Sequence, residues 1–253
     1  MMIRFVMRPN LIIIGAMKCG TTALHRYLDL HPDVAMSEPK ELNFFCGPER
    51  PPGQGDERSG WLAGNWHRGA GWYAAQFRSA PVRGEASPEY TSPSFPGAAE
   101  RMARVMPGAR HVYAVRDPIE RAVSQYFHHR AEGTERRPIE EALLDPASQY
   151  LERSRYHARL EPYLSRFPRK RILVCAQEDL LAKRRGTLRE LYSFVGADDS
   201  FRSPGHDRRS HVSGNAPAAI AGSLRRRLVA GLSGDAARLQ ELVGREFSGW
   251  RLS

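Results

Sequence analysis

The sequence predicts an α/β fold, a single domain of three layers (α/β/α) around a central and mostly parallel sheet. The length of 253 residues fits one such domain, and a composition of 41% hydrophobic and 26% charged residues is that of a folded chain. Short apolar runs alternate with segments of helical periodicity, which is typical of strands joined by crossover helices. We therefore expect residues 1–253 to form one domain.

The first strand is predicted at residues 11–14, an aliphatic run without polar alternation, as in a strand buried on both faces of a parallel sheet. A turn bounded by Gly15 and Gly20 follows. Thr21 then opens a segment with one apolar face that ends before His31, which predicts a helix. Strand, glycine turn and helix together form the opening of a βαβ unit.

Three further apolar runs predict the other strands, at residues 82–85, 111–115 and 172–176. The run at 111–115 leads into Asp117 and Pro118, which suit the N-cap and the first turn of a helix. Apolar residues on one face extend that helix to about Phe127.

Two segments differ from this alternation. Residues 47–72 are rich in proline and glycine, which predicts a flexible insertion, either a solvated surface excursion or a mobile segment over a site. The C-terminal part, about residues 216–253, is predicted to be helical, with a break at residues 231–234.

Charge and cysteine content limit the class of protein. Lysine and arginine number 38 against 28 acidic residues, so a net charge of +10 favours an anionic partner. No basic helix interleaved with aromatic residues and no zinc finger occurs, which argues against nucleic acid. Three scattered cysteines predict neither a disulfide framework nor a structural zinc site. The apolar runs are too short for a membrane span or a signal peptide, so we expect a cytoplasmic protein.

The turn between Gly15 and Gly20 is predicted to hold an anion. Its backbone N–H groups converge at a helix N-terminus, Lys18 adds a full charge, and the Thr21 and Thr22 hydroxyls can cap the helix and donate to phosphate oxygens. Nucleotide-binding P-loops carry their lysine directly after the second glycine. Here the lysine lies inside the loop, and no strand supplies the carboxylate that a magnesium site needs. The loop is therefore P-loop-like, for an anionic donor that requires no metal.

Two segments resemble sulfotransferases that use 3′-phosphoadenosine-5′-phosphosulfate (PAPS). Residues 15–24, with His31 and Pro32 downstream, resemble the 5′-phosphosulfate loop of that family, and residues 112–126 resemble its 3′-phosphate segment. The resemblance implies 5′-side contacts from Lys18, Cys19, Gly20, Thr21 and Thr22. It implies 3′-phosphate contacts from Arg116 and Ser124, with 3′-phosphoadenosine-5′-phosphate (PAP) as the product.

A third segment, residues 38–45, is similar to the one that carries the catalytic carboxylate in heparan-sulfate-type members. This similarity implies that Glu41 is the general base, with Lys18 stabilising the leaving phosphate; Glu38 is its nearest competitor. Small-molecule sulfotransferases use a histidine base instead, which leaves three reserve candidates, His67, His128 and His129.

The chain departs from the heparan-sulfate-type pattern in two places. Ala86 stands where those members have a lysine, so a second cation is either missing or supplied from elsewhere, with Lys40 and Arg83 as candidates. The late basic loop that closes over the nucleotide is matched only loosely, by Arg208, Arg209, Ser213 and Gly214.

The sequence thus predicts a PAPS-dependent sulfotransferase that acts on the hydroxyl of a sugar, lipid or secondary metabolite, without a metal. Two alternatives are a small P-loop phosphotransferase, which would need magnesium and ATP, and a polyanion-binding module. The second alternative explains the net charge of +10 but not the glycine turn.

Overall fold

The computed structural model describes residues 8–50, 64–208 and 220–252. Five parallel strands form one sheet in the order β2-β3-β1-β4-β5. They are β1 (Leu11–Gly15), β2 (Val34–Met36), β3 (Val82–Ala86), β4 (Arg110–Val115) and β5 (Ile172–Ala176). The predicted single-domain α/β fold with a parallel sheet is confirmed.

Helices connect the strands and cover the sheet. They are α1 (Thr21–Asp29), α2 (Gly69–Ala74), α3 (Ala98–Val105), α4 (Pro118–Ala131), α5 (Ile139–Leu144), α6 (Gln149–Glu152), α7 (Tyr156–Leu164), α8 (Gln177–Ala182), α9 (Arg184–Val195) and α10 (Gly222–Val243). Short 3₁₀ turns lie at Trp66–Arg68, Pro88–Thr91, Arg169–Arg171 and Pro204–Asp207. Among the described residues, no helix is long and apolar enough to cross a membrane.

The core surrounds β1, whose aliphatic residues are fully buried, as an unbroken apolar run requires. On the side of α7, the Tyr113 ring lies 5.9 Å from that of Tyr156, and the His111 ring lies 4.2 Å from that of Phe167. Helices α1 and α9 are joined by the Tyr192 hydroxyl, which donates to the Tyr27 carbonyl at 2.7 Å. The four predicted strands are confirmed.

Three local predictions need correction. Strand β2 was not predicted, because three residues carry no period. Helix α4 continues for a further turn to Ala131, since two histidines and an arginine in its last turn favour the negative end of the helix dipole. The break predicted at residues 231–234 is wrong, because α10 continues through this segment. Both of its glycines face solvent and leave the buried face of the helix unchanged. Leu228, Leu232 and Leu239 meanwhile keep one buried face.

The predicted insertion at residues 47–72 is described only at its two ends, and residues 51–63 lie outside the described residues. At its far end the chain is packed, because the Asn65 and Trp66 amides donate to the carbonyls of Asn43 and Cys46 at 3.0 and 3.1 Å. The flexibility of the remaining part stays a prediction.

Acid stability is predicted to depend on His111, which is fully buried on β4. Burial lowers its pKa to about 3, below the 6.5 of the unfolded chain. The unfolded state therefore binds a proton first, so this contribution to stability is complete above pH 6.5 and is lost as pH falls towards 3. Between these pH values the contribution of His111 to the free energy of unfolding changes by about 1.4 kcal/mol per pH unit. In urea titrations from pH 8 to 4, His111→Phe is expected to lose stability less steeply than the wild type; parallel curves would contradict the assignment.

Candidate active site

The glycine loop lies at the point where the sheet order reverses. From β1 the chain crosses to β2 on one side, and it later returns to β4 and β5 on the other side of β1. The carboxyl ends of β1 and β4, which carry Gly15 and Arg116, therefore open onto the same crevice. Such switch points are where open α/β sheets bind their ligands.

Two glycines are required by the shape of this loop. A Cβ at Gly15 would collide with Oγ1 of Thr91, and Gly20, at φ 86°, caps α1 in the left-handed conformation. Lys18 also has a left-handed backbone, with φ 68°. Left-handed backbone is uncommon for a residue with a side chain, and it is typical of functional turns.

The loop presents N–H groups that the fold does not use. Among the described residues, the amides of Lys18, Gly20, Thr21 and Thr22 donate to no backbone carbonyl, whereas the Cys19 amide is bonded to the Ala16 carbonyl at 3.2 Å. The prediction that the threonine hydroxyls cap α1 is wrong, because Gly20 is the N-cap residue and no side chain caps it. Unpaired amides at a helix N-terminus are a site for an anion.

Two cations meet at this loop. Lys18 is half-buried, and its pKa is lowered first by burial and then by the charge of Arg116, against a smaller opposite effect of Glu132. Within the described residues Lys18 has no ion-pair partner, and Arg116 has only Glu120 at 3.9 Å. Two like charges that repel each other, with only partial compensation from Glu132 and Glu120, favour the binding of an anion.

Arg116 is held by the start of α4. The Asp117 carboxylate accepts from the amides of Ile119 and Glu120 at 2.9 and 3.0 Å, which confirms the predicted N-cap. Ser124 lies half-buried about two turns along α4. That is about 12 Å along the helix axis from Arg116, at 1.5 Å per residue.

Tyr156 joins the two predicted phosphate segments, and sequence reasoning did not find it. Its hydroxyl donates to the Arg116 carbonyl at 2.9 Å and lies 3.4 Å from Sγ of Cys19. Burial raises the pKa of the Cys19 thiol to about 11, so Cys19 stays protonated and packs the underside of the loop.

A buried ion pair contacts the glycine loop at Met17. Arg153 donates two parallel hydrogen bonds to Glu89 at 2.8 and 2.7 Å, and its guanidinium lies 3.8 Å from Sδ of Met17. The partners are 64 positions apart in the sequence, so no local pattern could have indicated them.

Glu41 has a left-handed backbone, with φ 65°. The pKa of His128 on α4 is lowered. Burial and the charge of Lys18 lower it, and the charges of Glu132 and Glu41 oppose this effect in part. His128 thus lies within the electrostatic reach of both predicted catalytic residues, which are distant in sequence. Lys40 forms an ion pair with Glu41, whose side chain is 47% exposed.

The competing bases occupy other positions. Glu38 is exposed and affects the pKa of His25. His129 is bonded to the Tyr150 hydroxyl at 2.9 Å, and His67 belongs to the 3₁₀ turn Trp66–Arg68. Among the three reserve histidines, His128 is the one whose pKa responds to Lys18 and Glu41.

The structure excludes one of the two candidates for the second cation. Arg83 points to the amino end of β3, where its guanidinium donates to the Arg8 carbonyl at 3.0 Å, so it does not reach the crevice. Lys40 stays as the candidate, with a side chain only 17% exposed next to Glu41. In the late loop, the Arg208 carbonyl accepts from the Tyr27 hydroxyl at 2.8 Å; Arg209, Ser213 and Gly214 lie outside the described residues.

Comparison with known proteins decides the class of enzyme. The model of the sulfotransferase family matches residues 9–200. The chain belongs to the sulfotransferase family. A crystal structure of a sulfotransferase from Alicyclobacillus acidocaldarius is 32% identical, with a TM-score of 0.78 over 97% of this chain and 99% of that one. The family match decides against the phosphotransferase and polyanion-binding alternatives.

Curated relatives of this sulfotransferase include longer proteins. The bifunctional heparan sulfate N-deacetylase/N-sulfotransferase 2 of Bos taurus is 27% identical over 212 residues, which are 74% of this chain and 22% of the relative. The heparan sulfate glucosamine 3-O-sulfotransferase 3B1 of Mus musculus is 29% identical over 199 residues, 74% of this chain and 46% of the relative. The chain thus spans less than half the length of these relatives.

The described part of the sulfotransferase holds no group of three or more histidine, cysteine, aspartate or glutamate side chains that could bind a metal ion. What the crevice does hold is a loop of unpaired amides with Lys18 and Arg116 beside it. Oriented amides and cations of this kind bind anionic groups and stabilise negative charge that develops on an oxygen.

Proposed function

We propose that this sulfotransferase uses PAPS as its donor and transfers the sulfuryl group to an acceptor hydroxyl. The observation that carries the proposal is a loop of unpaired amides whose Lys18 interacts electrostatically with Arg116, while neither cation has a short ion pair in the described residues. A donor that carries phosphate at both its 5′ and 3′ positions supplies the anions that both motifs need. The match of both segments to the family's donor-binding motifs supports this choice.

The proposed reaction assigns one role to each side of the crevice. The acceptor oxygen forms a bond to sulfur while the bond from sulfur to the 5′-phosphate oxygen breaks, and PAP leaves. Lys18 and the loop amides stabilise the negative charge that grows on the leaving oxygen. Glu41 takes the proton that the acceptor hydroxyl loses, as a general base.

The position of Glu41 supports this role, because His128 is in electrostatic reach of both Glu41 and Lys18. Proton acceptor and leaving-group cation must lie on opposite sides of the transferred group, within a few ångströms of it. Lys40 forms an ion pair with Glu41, and its charge opposes the rise that burial causes in the pKa of Glu85; we assign to Lys40 the second cation that Ala86 does not supply.

A carbohydrate hydroxyl is the acceptor that we propose to test first. The relatives from Bos taurus and Mus musculus are named for heparan sulfate, a carbohydrate. A lipid or secondary-metabolite hydroxyl is the remaining choice, and a panel of acceptors with labelled PAPS distinguishes them.

Arg116→Ala is expected to weaken PAP binding at least tenfold and to leave the affinity for adenosine 5′-phosphate nearly unchanged, because the lost guanidinium contacts only the 3′-phosphate. Isothermal titration calorimetry measures both affinities. Arg226→Ala is the matched control, since it removes the same charge from an exposed position on α10. Equal losses for both nucleotides would refute the 3′-phosphate contact.

A further inference from the structure

Glu85, at the end of β3, is a buried carboxylate to which the chemistry above assigns no role. It is fully buried, and burial raises its pKa. Three hydroxyls donate to it: Tyr73 and Tyr90 to Oε1 at 2.7 and 2.6 Å, and Ser87 to Oε2 at 2.7 Å. Within the described residues no lysine or arginine forms an ion pair with it; the three hydroxyls and, to a smaller extent, the charge of Lys40 stabilise its negative charge.

Two of the three hydroxyls also accept a hydrogen bond from a backbone amide. We call each such series of amide, hydroxyl and carboxylate a relay. A hydroxyl has one hydrogen, and once that hydrogen is donated to Glu85 its oxygen can only accept. The Ser87 oxygen accepts from the Asn43 amide at 3.0 Å, and the Tyr90 oxygen accepts from the Phe44 amide at 2.9 Å. The Glu85 carboxylate therefore fixes the direction of both relays.

The amides held in this way belong to Asn43 and Phe44, two and three residues after Glu41. Glu41 and Asn43 have left-handed backbones, with φ 65° and 46°. Left-handed backbone is unfavourable for a residue with a side chain, so the segment keeps this shape only where its surroundings hold it. The two relayed hydrogen bonds act at the first two residues beyond Leu42.

We propose that Glu85 is a positioning residue, which holds the Glu41 carboxylate towards the crevice through Ser87 and Tyr90. The proposal rests on the proposed function of Glu41 as the base. Glu85 touches neither substrate; it acts on the reaction through two hydroxyls and two peptide amides.

The chain offers a matched pair of variants for the test. Tyr73 and Tyr90 are both buried and both donate to the same oxygen of Glu85, but only the Tyr90 hydroxyl accepts from a backbone amide. Tyr90→Phe is expected to lower kcat about tenfold and leave the Kd for PAP unchanged, while Tyr73→Phe stays within about twofold of the wild type. Hydrogen exchange at residues 42–46, followed by mass spectrometry, should accelerate in Tyr90→Phe and not in Tyr73→Phe.

Glu85→Gln tests the carboxylate itself. Its amide nitrogen would donate to one of the hydroxyls, whose own hydrogen then loses its acceptor, so at least one of the three hydrogen bonds that order this cluster is lost in either orientation. A kcat about tenfold lower is expected, and this effect should disappear in the Glu41→Gln background if Glu85 acts through Glu41. An equal response of both tyrosine variants, or an unchanged kcat in Tyr90→Phe, would overturn the positioning role. Full activity of Glu41→Gln would instead overturn the proposed base, and the exchange experiment would still decide whether the relays hold the segment.

Discussion

Replacing Lys18 by alanine is expected to lower kcat about a thousandfold without unfolding the protein. Lys18 is half-buried at the loop, and within the described residues no carboxylate forms an ion pair with it, so its ammonium group is available to the leaving oxygen. Removing one preorganised hydrogen-bond donor from such a site costs about a hundred- to a thousandfold in kcat, and removing a charged donor lies at the upper end. Steady-state transfer from labelled PAPS, with thermal unfolding measured alongside, gives both quantities.

Two variants control this experiment. Lys170→Ala removes the same charge from an exposed position in the 3₁₀ turn Arg169–Arg171, remote from the loop, and should keep wild-type turnover. Lys18→Arg keeps a charge whose pKa is far higher than that of lysine. Because the pKa of Lys18 is lowered from 10.5, kcat of the wild type should fall on the alkaline side below that pH, and Lys18→Arg should move this fall upward. Turnover of Lys18→Ala within threefold of the wild type would remove Lys18 from catalysis.

Replacing Glu41 by glutamine is expected to lower kcat by a hundredfold or more and to leave the affinity for PAP unchanged. The amide has nearly the shape of the carboxylate but cannot take the proton, and positioned general bases contribute about a hundred- to ten-thousandfold. Rate measurements with labelled PAPS and calorimetry with PAP separate the two effects. Glu38→Gln is the matched control, since Glu38 is an exposed carboxylate close by in the sequence.

A Glu41→Gln enzyme that keeps its turnover would contradict the role of Glu41 as general base and make His128 the next candidate. In that case His128→Asn should abolish transfer, because His128 is the reserve histidine in electrostatic reach of Lys18. If both variants are inactive, the pH profile of kcat decides which group loses the proton on its acidic side.

The sequence was sufficient wherever the signal is local. An uninterrupted aliphatic run predicts β1, because a strand buried on both faces has no polar alternation. The dipeptide Asp117–Pro118 predicts the start of α4, because both residues act on adjacent backbone groups. The order of the two phosphate segments likewise follows from their place directly after strands.

Long-range pairs and marginal elements could not be predicted. The ion pair between Glu89 and Arg153 and the contact of Tyr156 with Cys19 join residues 64 and 137 positions apart, and a single sequence carries no trace of such pairing. Residues 231–234 misled the helix prediction, because the cost of two exposed glycines is smaller than the gain from the buried face of α10.

The central claim is that an amide-lined loop with Lys18, together with Arg116, binds a nucleotide that is phosphorylated at both ends. Calorimetric titration of the intact protein with PAP, in the presence and in the absence of EDTA, tests it most directly. We expect one PAP to bind per chain, with the same affinity and enthalpy in both buffers. No heat of binding, or binding that EDTA abolishes, would contradict it.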